Sequence, residues 1–88
     1  MYKQKITNQF KKDYKKAKKQ NKKLDLLKRI MTDLASGKTL DEKYRDHLLV
    51  GNWKPHRECH IQPDWLLIYR VEEDTIIFVR TGSHSDLF

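Results

Sequence analysis

The stretch RTGSHSDLF, residues 80–88, sets Arg80, His84 and Phe88 four residues apart. An imidazole gives or takes a proton near neutral pH. A guanidinium forks onto two phosphate oxygens, and an aromatic ring offers a face on which a base stacks. The three groups together suit chemistry on a phosphodiester. The residues alone leave a plainer alternative open, in which Gly82 and its Ser and Thr neighbours form a turn and His84 is an ordinary exposed side chain. Arg80 is harder to set aside, because it closes the apolar run IIFV and a charge there needs a reason.

Something must carry these groups. In MYKQKI, Tyr2, Gln4 and Ile6 alternate with Lys3 and Lys5, which predicts a short strand, and Thr7 or Asn8 then offers a helix N-cap. Phe10, Tyr14 and Ala17 fall at i, i+4 and i+7, a narrow apolar stripe on a lysine-rich helix that ends near Asn21. A second helix follows from Leu24, Leu27, Ile30, Met31 and Leu34, with Gly37 where a left-handed C′ residue is expected. Between Lys38 and Pro55 no period is clean. Leu40, Tyr44, Leu48, Leu49 and Val50 can pack there, and GNWKP interrupts any element.

Three strands come next, RECHI, WLLIYRVE and TIIFVRT, the last two joined by the acidic turn EED as a hairpin. Strand alternation sets Cys59 and Ile61 apart from Glu58 and His60, and Ile77 and Val79 apart from Ile76, Phe78 and Arg80. The helices need one sheet face to cover, so the face bearing His60 and Arg80 is read as open. A terminal segment folding back across a turn at Gly82 would present Arg80, His84 and Phe88 together over that face. The fold class is α+β: an N-terminal strand and a two-helix hairpin packed on one face of a mainly antiparallel sheet.

Composition limits the class of protein. The 88 residues suffice for one domain, 1–88, with one core. Cys59 is the only cysteine, which excludes an intrachain disulfide and points to a reducing, cytoplasmic setting. No apolar run is long enough for a membrane span, and the N-terminus lacks the apolar centre of a signal peptide. The net charge of +7 is unevenly placed: residues 1–23 hold ten lysines against Asp13 alone, about +9, while residues 24–88 sum to about −2. Lys11, Lys12, Lys15, Lys16, Lys18 and Lys19 thus read either as a solvated helix face or as a surface for RNA or DNA. The apolar stripe is too thin for membrane insertion.

The run DHLLVGNWKPHRECHIQPDWLLIYRVEEDTIIFVRTGSHSDLF resembles the C-terminal half of RelE-type bacterial toxins, and in particular the YafQ branch. The DH before an apolar pair, GxW, RECH, PDW and the closing RTGSHSxLF carry the likeness, and the strand-helix-helix-strands order extends it along the chain. The resemblance implies the RelE-like microbial RNase fold and an endoribonuclease that cuts messenger RNA on the ribosome. It implies a small antitoxin as partner, with two toxins on one antitoxin dimer, and no cofactor or metal. The positions matching the branch's active-site motif are His47, His60, Asp64, Trp65, Arg80, His84 and Phe88, whereas His56 matches none.

Cutting RNA without a metal uses the ribose 2′-OH as nucleophile. One group removes its proton, another protonates the departing 5′ oxygen, and a cation steadies the phosphorane. Carried onto this chain, the resemblance gives His84 to proton transfer at the scissile bond as the acid, and His60 or His47 to the 2′-OH. Arg80 is given to the phosphate, Asp64 to orienting an imidazole or a base edge, and Trp65 and Phe88 to stacking a splayed base. Trp65 has a core reading beside this one, and Asp64 after Pro63 a turn reading. A non-catalytic nucleic-acid-binding module would account for the lysines but not for three histidines. A metal site from His47, Cys59, His60 or His84 suffers from spacing, since Cys59 and His60 point to opposite faces of one strand.

Overall fold

The computed structural model describes residues 1–53 and 55–88; Lys54, within the GNWKP break, lies outside the described residues. Strand β1 (Lys3–Ile6) passes into helix α1 (Asn8–Lys19) through Thr7, whose hydroxyl accepts the Phe10 N–H at 2.9 Å and donates to the Val79 carbonyl at 2.8 Å. One side chain thereby caps the helix and ties its start to the last strand. Asn21 turns the chain with a left-handed backbone, φ 56°, into helix α2 (Leu24–Ala35), after which Gly37 takes φ 81°. Strand β2 (His47–Leu48) is short. Strands β3 (Arg57–Gln62), β4 (Trp65–Glu72) and β5 (Thr75–Gly82) follow, and a single helical turn, α3 (His84–Leu87), ends the described chain.

The sheet order is β1-β5-β4-β3-β2, antiparallel throughout except for the parallel β1–β5 pair. Two-residue turns close both hairpins, Pro63–Asp64 between β3 and β4 and Glu73–Asp74 between β4 and β5. Phe10, Ala17, Leu27, Ile30 and Leu34 of the helices meet Cys59, Ile61, Leu67, Tyr69, Ile76 and Phe78 of the sheet in the main core. The helical stripes and the Cys59/Ile61 face read from the sequence are both there. Phe10 and Phe78 stack tilted with centroids 6.2 Å apart, and losing either ring would cost about 3–5 kcal/mol.

Three expectations need correction. The sheet face away from the helices is not simply open, because Leu66, Ile68 and Leu87 form a second small core there, covered by Leu49, Trp53 and Val79. Leu48 and Val50 do not pack but are exposed. Strict alternation also fails in β5: a bulge leaves Phe78 opposite Tyr69 but Arg80 opposite Ile68, so Val79 is an extra residue. Ile76 and Phe78 therefore stay in the helix-side core, while Arg80 joins the ladder of Leu66 and Ile68, the face that also bears His60.

Candidate active site

The β2–β3 register sets His47 directly opposite Glu58, and His60 lies two residues on along the same face. The tail completes the group. Gly82 ends β5 rather than making a turn, and its lack of a side chain admits Asp86, whose Cβ would stand 3.1 Å from a Cβ at this position. Ser83 then caps α3 through a box with Asp86: the Ser83 hydroxyl accepts the Asp86 N–H and the Asp86 carboxylate accepts the Ser83 N–H. This turn lays Leu87 on the second core and brings His84 beside the other imidazoles. A continuous row of rings results, with centroids 6.3 Å apart for His47–His60, 5.7 Å for His60–His84, 6.5 Å for His84–Phe88 and 5.7 Å for Phe88–Trp53.

Two carboxylates orient the rings. Asp64, at the tip of the β3–β4 hairpin, accepts the backbone N–H of His84 at 3.0 Å and faces its ring Nδ1 at 2.8 Å. These bonds, the backbone one foremost, hold its pKa below the usual aspartate value. An ionised Asp64 takes a proton on His84 Nδ1 and leaves Nε2 turned away from the carboxylate. Glu58 Oε2 lies 3.1 Å from His47 Nε2 and 3.7 Å from His60 Nε2. Only 5% exposed, Glu58 also keeps Oε1 buried without a hydrogen-bond partner among the described residues. His47 is further bound through Nδ1 to the Arg45 carbonyl at 2.6 Å, so both its nitrogens are engaged. Among the described residues His60 has no such second tie, and its Nε2 sits beyond hydrogen-bond distance of Glu58 Oε2.

Strand alternation within RECH puts Glu58 on the face of His60 but assigns it no role. Its i, i+2 spacing to His60 is the only sequence signal. The pairing with His47 depends on a two-residue strand that no periodicity announces.

Arg80 is held by Asp13 of α1, with Nε to Oδ2 at 2.9 Å and Nη2 to Oδ1 at 3.2 Å, and that contact raises its pKa. On the same helix Lys16 reaches Asp86 at 2.9 Å. Lys16 thus braces the capping box of α3 instead of belonging wholly to a free basic face. Lys11, Lys12, Lys15, Lys18 and Lys19 are exposed.

The aromatic assignments divide. Phe88 is 58% exposed at the end of the ring row. Trp65 is 1% exposed within the main core, with Lys22 Nζ 5.5 Å from its ring centre. No face of Trp65 is free to take a base, so the stacking expectation is corrected in favour of the core reading. Trp53, from the GxW piece, occupies the place beside Phe88. His56 lies outside the imidazole group, with Nδ1 on the Trp53 carbonyl at 2.7 Å and its ring edge-on to Trp53.

Beside His60 and His84 runs a groove of about 700 Å³ walled by Lys43, Tyr44, Arg45 and Gln62, a size suited to a small organic ligand or a nucleotide. Cys59 is fully buried on the helix side, and burial pushes its thiol pKa well up, which removes it from the imidazoles as a shared ligand. Among the described residues, no group of three or more His, Cys, Asp and Glu side chains is placed to hold a metal ion. No described helix is long and apolar enough to cross a membrane.

Residues 2–88 match the family described as the bacterial toxin of type II toxin-antitoxin systems, YafQ. The chain is 42% identical over 83 residues to the mRNA interferase toxin YafQ of Escherichia coli strain K12, covering 93% of this chain and 90% of that protein. It superposes on a chain of the E. coli DinJ–YafQ complex with TM-score 0.93 at 39% identity, covering 100% of this chain and 99% of the other. A metal-bound toxin from Helicobacter pylori superposes with TM-score 0.94 at 42% identity, 100% of each chain being covered.

Proposed function

The chain belongs to the YafQ family of toxins of type II toxin-antitoxin systems, and from that premise we propose that it is a ribosome-dependent endoribonuclease that cuts mRNA by attack of the ribose 2′-OH, without a metal ion. The observation that carries this reading is the row of His47, His60 and His84 steered by two carboxylates on the face reached by Arg80. The row is a set of proton carriers, and Arg80, which lines a separate pocket with Lys12, Asp13, Lys16 and Asp86, would supply the cation that transesterification of RNA also requires.

The roles follow from the ring contacts. His84, held through Nδ1 by Asp64, presents Nε2 and donates a proton to the leaving 5′ oxygen. His60, which makes no side-chain hydrogen bond among the described residues and whose Nε2 lies 3.7 Å from Glu58 Oε2, receives the 2′-OH proton. His47, tied at both nitrogens, acts on Glu58 and on local charge. Arg80 steadies the phosphorane, and Phe88 with Trp53 stacks a splayed base. The lysines of α1 draw the protein to RNA through long-range attraction.

The relative from E. coli was crystallised with DinJ. By that likeness this toxin is neutralised in the cytoplasm by a small antitoxin, two toxins sharing one antitoxin dimer. End-group analysis of RNA cleaved by purified protein on programmed ribosomes tests the chemistry. A 2′,3′-cyclic or 3′-phosphate with a 5′-hydroxyl, formed equally in the presence of a chelator, is the expected result. Fragments with 5′-phosphate ends, or activity abolished by the chelator, would overturn it in favour of water attack assisted by a metal.

A further inference from the structure

Asp13 is the one acid among the first 23 residues, and it does not face solvent with the lysines around it. It is 8% exposed and accepts four hydrogen bonds: from Arg80 Nε at 2.9 Å, Arg80 Nη2 at 3.2 Å, the Thr81 backbone N–H at 3.2 Å and Gln9 Nε2 at 3.2 Å. Its position on α1 is fixed two turns upstream by Thr7, which grips Val79 at the β5 bulge. The bulge turns Arg80 out of the core alternation, and Asp13 receives it at the edge that β1 leaves unpaired after Phe78.

Which side of the guanidinium Asp13 uses matters. It binds the Nε–Nη2 edge, consuming two of five N–H donors. Three donors remain, two on Nη1 and one on Nη2, and one from each nitrogen points to the far edge, the one that can still fork onto two phosphate oxygens. A carboxylate meant to sequester Arg80 would have to cover that far edge as well.

We propose that Asp13 is a positioning residue that aims the free edge of Arg80 at the scissile phosphate, so that helix α1 helps to build the site as well as to attract RNA. The proposal rests on the reading of Arg80 as the phosphate-holding cation. Lys16, one turn further along the same face, braces α3 through Asp86, so the inner edge of the helix fixes the terminal segment at two points.

Asp13→Asn, Asp13→Ala, Arg80→Ala and the Asp13→Ala/Arg80→Ala double variant, each checked for native circular dichroism, are assayed on programmed ribosomes with and without guanidinium ion at low, non-denaturing concentration. Asp13→Asn keeps the volume and one acceptor oxygen, which guards against loss of the fold. The expected result is a kcat lowered about tenfold or more in both Asp13 variants with KM changed less than about twofold, because aim and not attraction is lost. Guanidinium should restore part of the activity of Arg80→Ala, where Asp13 can seat it, and none in the double variant. If Arg80→Ala is crippled while both Asp13 variants keep kcat within about twofold of wild type, or if guanidinium rescues the double variant equally, Asp13 does not position Arg80 and the reading of Arg80 stands alone. An unimpaired Arg80→Ala removes the phosphate role and this proposal with it.

Discussion

Asp64 holds His84 twice, by its backbone N–H at 3.0 Å and by its ring Nδ1 at 2.8 Å, so one carboxylate fixes both the position of the terminal turn and the direction of its imidazole. Both side chains are more than half exposed, at 69% and 54%, and an exposed pair adds little stability. Its worth lies in orientation. His84→Ala should leave a folded protein that has lost about 10²-fold or more in single-turnover cleavage. Asp64→Ala should cost about 10- to 100-fold, and Asp64→Asn less, since an amide oxygen still accepts both bonds. The lowered Asp64 pKa keeps this carboxylate ionised above the acid range, so it should add no inflection to the rate profile between about pH 5 and 9.

Glu58 lies between His47 and His60 with one oxygen unspent. Glu58→Gln, which keeps the shape and removes the charge, should lower the chemical step by about 10²-fold or more while leaving RNA affinity unchanged. Single-turnover rates beside binding isotherms would show this. A Glu58→Gln enzyme cleaving at the wild-type rate would return the 2′-OH proton to His60 alone.

The exposed lysines should separate from Lys16. Replacing Lys11, Lys12, Lys15, Lys18 and Lys19 by glutamine should weaken RNA or ribosome binding and flatten its salt dependence, with cleavage at saturation preserved. Lys16→Gln should instead lower thermal stability slightly and loosen the terminal turn, because it removes the Asp86 partner. Binding titrations over a salt series, with thermal melts of each variant, discriminate the two.

Asp86 carries a pH dependence of known sign. The Lys16 hydrogen bond, helped by Ser83, depresses its pKa to about 2 in the folded chain. A carboxylate whose folded pKa is depressed adds stability that is fully present above its unfolded value near 3.9 and is lost as pH falls towards about 2. Asp86→Asn should therefore be less stable than wild type at neutral pH, by on the order of 1 kcal/mol after screening by solvent, and the gap should close on acidification through that window. Denaturant melts at neutral and acidic pH measure the gap.

The aromatic residues should sort by burial. Trp65→Ala should unfold or strongly destabilise the protein, by about 3–5 kcal/mol, whereas Phe88→Ala should leave stability intact and weaken cleavage by about 1–3 kcal/mol of lost stacking. His56→Ala should cut at nearly the wild-type rate, since among the described residues it meets the ring row only through the Trp53 backbone and ring. Melting temperatures set beside cleavage rates decide all three.

Much of this was legible in the residues. The helical stripes Phe10/Ala17 and Leu27/Ile30/Leu34, the cap at Thr7, the β4–β5 hairpin and the turn at Gly37 are local properties, written in spacings of three, four and two. The likeness of the C-terminal half to a toxin family named His47, His60, Asp64, Trp65, Arg80, His84 and Phe88; the chain brings the three histidines, Asp64 and Phe88 into one neighbourhood, while Trp65 lies in the core and Arg80 lines a separate pocket.

What the sequence by itself determined, then, was the set of elements and the chemical character of the site. Tertiary structure alone decided which groups touch. Glu58 meets His47 because a two-residue strand pairs in one register, and Asp13 meets Arg80 because a bulge breaks the alternation that spacing alone would impose. Trp65 is core because the helices close over it, and Lys16 is a brace because Asp86 arrives from seventy residues away. Local periodicity reports which face a side chain takes within its own element. A register shift, a bulge or a docking helix is selected by burial and hydrogen bonding summed over distant segments, and no window of neighbouring residues contains that sum.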